Sequence, residues 1–203
     1  PKTQSALLEV MEEGRVTHDG ISHPVGPPFM VVATQNPIEQ AGTYRLPEAQ
    51  LDRFLMKTSI GYPDHDSTVR LLGDAAIRDR AATVQPLIST RAVVDMAQLA
   101  SSVHVDPAVL GYVSHIADET RRASEVKLGL STRGCLSFVR VAKTWAAANG
   151  RPYVLPDDVK ALAVPVLSHR LILEPEAEFT GTTVGAIIAR VLAEVAPPVA
   201  SAR

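Results

Sequence analysis

Five consecutive apolar residues, Phe29-Met30-Val31-Val32-Ala33, stand between Pro27-Pro28 and Asn36-Pro37. A short unbroken apolar run bounded by turn residues reads as a β-strand buried on both faces, the habit of parallel sheets. Such a strand needs helices over each face and further strands at its edges, so this run narrows the fold to a layered α/β unit. A second run, Phe54 to Ile60, is expected to supply another strand, and Gly61-Tyr62-Pro63-Asp64 closes the unit. The first strand ends in Thr34-Gln35-Asn36. Ligands of open α/β sheets sit beyond the carboxyl ends of the strands, so polar groups there are candidates for chemistry. A loop rich in Gly and Pro, residues 37–47, leads to a short helix over Glu48 to Asp52, which delivers Arg53 just before the second run. Asn36 and Arg53 are the first candidate functional residues.

Ahead of this stretch, Leu7, Leu8 and Met11 space one helix face, and Gly14 is placed to stop it. Asp19-Gly20, flanked by short stretches with few apolar residues, predicts a type I′ hairpin over 15–25 that projects into solvent. Two strands and two helices cannot cover both faces of a sheet. The sequence also opens on Pro1-Lys2-Thr3, directly in a helical pattern. Both features lead us to expect that part of the α/β unit lies upstream of Pro1.

Beyond Asp64 the pattern is all-helical. Asp64 is placed to cap a helix over Asp66 to Ile77, and Thr90 one from Arg91 to about Ser101. Asp106-Pro107 is an N-cap with proline at the first helical position, and the helix runs to Arg122. Ser131 or Thr132 opens a helix that ends at Asn149-Gly150. It is apolar on more than one side, through Leu136, Phe138, Val139, Val141, Ala142 and Trp145, as the centre of a small bundle would be. Pro156-Asp157-Asp158 starts a helix to about His169, with acidic residues at its positive end. A last helix covers about Thr183 to Glu194, before Ala196-Pro197-Pro198. The expected division is 1–62 for the α/β part, 64–198 for the helical domain and 199–203 for a frayed tail.

The motifs KTQSALLEVMEEGRVT, ATQNPIEQAGTY, LPEAQLDRF, GYP, LGLSTRG and GRPYVLPDDVKALAVPVLSHRL, in this order, resemble the C-terminal half of a MoxR-type AAA+ ATPase. The likeness covers essentially the whole chain. It implies an α/β remnant of an AAA+ P-loop core (two strands plus a β-hairpin) followed by an all-α helical lid. It implies that Asn36 is sensor 1, positioning the attacking water near the γ-phosphate. Read alone, the same residue is an Asn-Pro turn ending a strand. Arg53 resembles the arginine finger that reaches the neighbouring subunit's ATP; the plainer reading is an ion pair with Asp52 or Glu48. Arg133, in Ser131-Thr132-Arg133-Gly134, resembles sensor 2 at the γ-phosphate, acting on its own subunit or on the next. The family more often carries proline where this chain has Thr132, which affects how the helix begins. Without the resemblance, Arg133 is a helix-start arginine set slightly against the dipole. The hairpin resembles an insertion before sensor 1 that faces a central pore or a partner; a plain edge hairpin is the alternative.

The resemblance further implies ATP and Mg²⁺ as the intact protein's ligands, a homo-oligomeric, hexameric ring, and client proteins carrying a von Willebrand factor A domain, in a cytoplasmic setting. Two rivals are a magnesium-chelatase-like motor and a non-catalytic helical interaction module. Composition removes some classes. The net charge of −2 gives no overall basic footprint for nucleic acid. One cysteine, Cys135, allows no internal disulfide and fits a reducing compartment. The apolar runs are too short to span a bilayer.

Other signals carry less. The six histidines have no metal-ligand spacing, so no metal site is expected. Cys135 has no base beside it in sequence and reads as a packed thiol. Asp118-Glu119 imitates a magnesium-binding strand end, but the surrounding period is helical. Arg121-Arg122 reads as a solvated helix end, and Arg45 as a loop charge. No G-x-x-x-x-G-K-[ST] phosphate loop occurs in the 203 residues. We therefore expect the chain by itself to bind no ATP tightly and to hydrolyse none.

Overall fold

The computed structural model describes residues 2–35, 47–74, 82 and 84–198. Helix α1, Lys2–Glu13, opens the chain. Gly14 ends it at φ +63°, where a side chain would be strained. Strands β1, Arg15–His18, and β2, Ile21–Pro24, form the antiparallel hairpin, with His18 opposite Ile21. Asp19 and Gly20 both have positive φ, 50° and 75°, as a type I′ turn requires. Every hairpin strand residue is exposed. The hairpin is tied to α1 by Thr17 Oγ1 donating to Glu9 (3.0 Å) and at its base by Val25 N to Gly14 O (2.8 Å).

The two expected strands of the α/β unit are not formed. Residues 29–35 and 55–60 are irregular backbone, with Met30 79%, Val32 81% and Ile60 97% exposed. The physical reason is that a strand exists only through hydrogen bonds to a neighbour. Among the described residues, only β1–β2 and a second small pair form ladders. Between the two stretches lies the short helix α2, Glu48–Leu51.

Caps written in the sequence fix most of the later helices. Asp64 caps α3, His65–Gly73, accepting from Ser67 N at 2.7 Å; the expected end at Ile77 lies outside the described residues. Helix α4, Thr90–Ser102, is capped by Ser89, one residue earlier than expected. Ser89 has the extended backbone of an N-cap and accepts from Ala92 N, while Thr90 is already helical. Asp106 caps α5, Pro107–Arg122, and Ser131 caps α6, Thr132–Ala148. Helix α7 runs Pro156–Leu167, two residues short of the expected end. Thr183 caps α9, Val184–Glu194.

The sequence pattern predicts an all-helical domain; the structure adds one small sheet to it. Val126–Leu128 (β3) pairs antiparallel with Ile172–Leu173 (β4), and α8, Pro175–Phe179, follows. Strands of two and three residues are too short to leave a period in the sequence.

Helix α6 is the centre of the bundle, packed on α4, α5 and α7, while α9 packs on α5 and α7. Phe138, Ile116, Leu130, Leu167 and Val166 are fully enclosed there. Leu136 and Trp145, two of the residues that made α6 look apolar all round, are instead about half exposed. Each large apolar side chain buried in this core contributes about 1.5–3 kcal/mol to the helical domain. In α1 the described buried side chains are Leu8 and Val10.

One buried polar group closes the turn between α5 and α6. Thr120 is wholly buried; its hydroxyl donates to Ala117 O (2.7 Å) and accepts from Leu130 N (3.0 Å). Thr120→Val keeps the shape but leaves the Leu130 amide unsatisfied in the core. It should cost about 1–3 kcal/mol, read as a lower denaturant midpoint at unchanged slope.

Candidate functional site

The first residues of the site are set by a segment with little regular structure. After α2, Asp52-Arg53-Phe54-Leu55 lies against the end of α7. The cause is Arg170, whose side chain is 1% exposed. Its Nε donates to Asp52 Oδ1 at 2.9 Å, and its terminal nitrogens reach the carbonyls of Phe54 (2.6 Å), Leu55 (3.2 Å), Asp52 (3.3 Å) and Val166. Lys57 N adds a bond to Pro165 O, freed for this use at the end of α7. A buried guanidinium has five donors and no acceptor, so a turn of carbonyls plus one carboxylate is the environment that satisfies it. Gly134 leaves room for it: a Cβ there would stand 3.0 Å from the Arg170 Cδ and collide with Leu130.

His169 shares this environment. Its Nε2 lies 2.8 Å from Arg170 Nη1. The same Nε2 lies 2.9 Å from the Phe54 carbonyl, which can only accept, whereas an arginine nitrogen can only donate, so which contact is a hydrogen bond follows the tautomer, and Nδ1 is buried without a partner. Burial, above all, pushes the His169 pKa below its ordinary value, helped by the charges of Arg170 and Lys57 and opposed by the Phe54 carbonyl and Asp52.

Asp52 has a second partner. Its Oδ2 accepts from the Ser131 hydroxyl at 2.9 Å, and the same hydroxyl caps α6 by accepting from Gly134 N at 3.0 Å. One carboxylate thus fixes both the segment that carries Arg53 and the first turn of the helix that carries Arg133. Among the described side chains Arg53 does not pair with Asp52; the Glu48 side chain lies outside them. Its Nη1 meets Oε2 of Glu12, near the end of α1. Arg133 Nη2 donates to the other oxygen, Oε1, at 2.7 Å. Two arginines 80 positions apart therefore close on one carboxylate. Arg53 is the more enclosed, at 26% exposed against 51% for Arg133, and its Nε is buried without a partner. Asn36 and Arg45 lie outside the described residues, so the arrangement consists of Arg53, Arg133 and Glu12, held by Asp52, Ser131 and Arg170.

Glu12, Asp52 and Arg170 are the members that sequence reading missed. A carboxylate in the last turn of α1 opposes the helix dipole, a weak sign that something else holds it there. Arg170 follows the end of α7, where a cation suits the dipole, and its burial is invisible locally. The remaining signals resolve simply. Asp118 and Glu119 are helical and pair with Arg121 and Arg122. Arg121 is not merely solvated, since its Nε also donates to Leu130 O. Cys135 is half-buried, and burial raises its pKa, which weakens it as a nucleophile. Among the described residues, no three His, Cys, Asp or Glu side chains gather as a metal site. Among them, no helix is long and apolar enough to cross a membrane.

Similarity to known proteins identifies the family and the fold. Residues 1–56 match the profile of the ATPase family associated with various cellular activities (AAA), and residues 118–191 match the AAA lid domain. The chain is 42% identical to YeaC of Bacillus subtilis, over 98% of its own length and 62% of that protein's. It is 37% identical to the chaperone MoxR1 of Mycobacterium tuberculosis, over 97% and 54%. A crystal structure from Cytophaga hutchinsonii, of a candidate ATPase, superposes with a TM-score of 0.88 at 38% identity, over 98% of this chain and 63% of that one. More distantly, a magnesium-chelatase subunit ChlI homolog of Methanocaldococcus jannaschii is 31% identical over 76% of the chain and 41% of that protein. The chain belongs to the MoxR-type AAA+ ATPases, and its fold is part of an AAA+ core joined to a helical lid. It spans about 62% and 54% of the length of YeaC and MoxR1.

Two outcomes test the geometry. Arg170→Met should lower stability by about 3–5 kcal/mol, because it strands Asp52 and several carbonyls, and Arg170→Lys should not restore it. For His169 the folded-state pKa lies below the ordinary 6.5, so folding selects the neutral ring. Its contribution is present in full above that value and is lost as pH falls through it towards the folded pKa. His169→Gln should therefore flatten the fall in Tm between about pH 7.5 and about pH 5.5.

Proposed function

We propose that this chain is the sensor-and-lid portion of a ring-forming ATPase, probed at the interface between neighbouring subunits. The observation that carries the reading is the convergence of Arg53 and Arg133 on a single carboxylate. A site that gathers two guanidiniums around an anion has the chemistry to receive a terminal phosphate, whose oxygens match the fork of each arginine. In this reading Arg53 is the arginine finger. It stabilises charge on the γ-phosphoryl group of the ATP held by the next subunit while water attacks in line. Asn36 is sensor 1 and orients that water in its own subunit's site. Arg133, standing beside Arg53, serves the same phosphate as Arg53 does, and so acts in trans. Mg²⁺ is held by groups other than the described residues, and no step assigned here to Arg53, Asn36 or Arg133 runs through it.

The core portion is residues 1–62 and the lid 64–198. The ring is hexameric and cytoplasmic, with no nucleic-acid partner. Its work is chaperone-like remodelling or activation of client proteins, among them proteins with a von Willebrand factor A domain; the name of the MoxR1 relative supports the first half of this. A magnesium-chelatase-like motor is the second reading, favoured by the ChlI homolog's similarity but at lower identity and coverage. The hairpin, whose strand residues are all exposed, serves in this reading as a contact for ring or client.

In the full-length protein, Arg53→Ala and Asn36→Ala should each lower kcat by about 10³-fold or more. Equal mixtures of the two variants should regain about a quarter of normal turnover, since one interface in four then joins an intact Asn36 to an intact Arg53. Normal turnover by Arg53→Ala, or no recovery on mixing, would refute the finger in trans. The 203-residue chain by itself should show no ATP turnover above background, measured as phosphate release. Turnover by this chain would overturn the assignment of phosphate binding to residues outside it.

A further inference from the structure

Glu12 has no place in the chemistry proposed above, yet it holds both of the arginines that do. Its Oε1 accepts from Arg133 at 2.7 Å and its Oε2 meets Arg53. It sits in the last turn of α1, where a negative charge is unfavourable to the helix and no basic residue offsets it. Its neighbour Glu13 makes no such contact among the ion pairs of the described residues. The Glu12 side chain is 36% exposed, so it can leave the pair without passing through the core. Arg53, by contrast, is kept in place from behind, because the backbone on either side of it is bound to Arg170. Of the pair that Arg53 forms with Glu12, the carboxylate is the member not held from behind.

We propose that Glu12 is a competing anion: its carboxylate occupies the place of a phosphate between Arg53 and Arg133, and an incoming phosphate must displace it. A carboxylate and a phosphate cannot both keep the same two forks, because each oxygen pair would face the other across a few ångströms with like charge. Displacement frees Arg133, and with it the α1–α6 tie, while Arg53 stays oriented. Glu12 therefore sets the threshold at which the arginine pair accepts a nucleotide phosphate, and makes the lid's attachment to α1 depend on whether that phosphate is present. This rests on the reading of Arg53 and Arg133 as phosphate-binding groups.

The test is steady-state ATP hydrolysis by the full-length protein and its Glu12→Gln, Glu12→Asp and Arg53→Ala variants, with kcat and KM resolved separately. Glu12→Gln removes the competing charge and keeps the shape. It should lower KM for ATP by roughly three- to tenfold, with kcat within about twofold of normal. Glu12→Asp keeps the charge on a shorter arm that cannot span both arginines, and should fall between the two. A purely structural role for Glu12 moves the numbers the other way: KM rises or kcat falls, together with Tm, and that result overturns the proposal. An unchanged KM in Glu12→Gln overturns it as well. Both results leave the parent reading standing if Arg53→Ala is inactive. Normal hydrolysis by Arg53→Ala refutes the parent reading and this proposal together.

Discussion

The buried guanidinium of Arg170 is the interaction on which the arrangement of this chain depends. Taking a charge out of water costs several kcal/mol, and only a complete set of partners offsets it. Here the partners are the Asp52 carboxylate and the carbonyls of Asp52, Phe54, Leu55 and Val166. Four of those five groups belong to one short segment with no ladder or helix of its own. The segment has its shape because Arg170 needs acceptors in that shape. The usual direction of support is reversed: a side chain of the lid writes the backbone of the neighbouring core portion.

That reversal explains how Arg53 comes to be fixed. Between Asp52 and Phe54, both bound to Arg170, the chain has little freedom left, and from there the Arg53 side chain reaches Glu12 of α1. Asp52 meanwhile holds Ser131, and Ser131 begins the helix in which Arg133 is the second residue. The positions of the two arginines are thus both referred to one carboxylate, Asp52, and their charges to another, Glu12. The acidic groups differ in task because they differ in surroundings. Asp52 is locked between a buried cation and a capping hydroxyl, while Glu12 meets its two cations near solvent.

Local signals in the sequence were legible, and distant ones were not. Asp64, Asp106-Pro107, Ser131 and the Asp19-Gly20 turn act on amides one to four residues away, so their meaning is contained in a few letters. The family likeness also drew attention to Arg53 and Arg133, which the structure brings together; Asn36 lies outside the described residues. The apolar runs at 29–33 and 54–60 misled about strands because apolarity records a wish for burial, while a strand requires a neighbour to bond. The links Glu12–Arg133, Asp52–Ser131 and Asp52–Arg170 span 121, 79 and 118 positions. No periodicity or cap rule reaches across such separations, and surface-type residues such as Arg170 give no local sign that they will be buried.

The two charged ties between lid and core portion differ in how easily they part. Arg170 and Asp52 are 1% and 21% exposed, and separating them would leave a cation unsolvated in the interior. Arg133 and Glu12 are 51% and 36% exposed, so water can take over either charge at a cost of about a kcal/mol or less. Any event that competes for the arginines therefore opens the Glu12 tie and leaves the Arg170 tie closed. Under the Glu12 proposal the bonds from Arg170 to residues 52–55 are kept and the contact of Arg133 with α1 is given up. Arg53 stays between two residues bound to Arg170, while Arg133 has no such support behind its contact with Glu12. The finger's direction is a property of the fold, and the lid arginine's position is a property of which anion it holds.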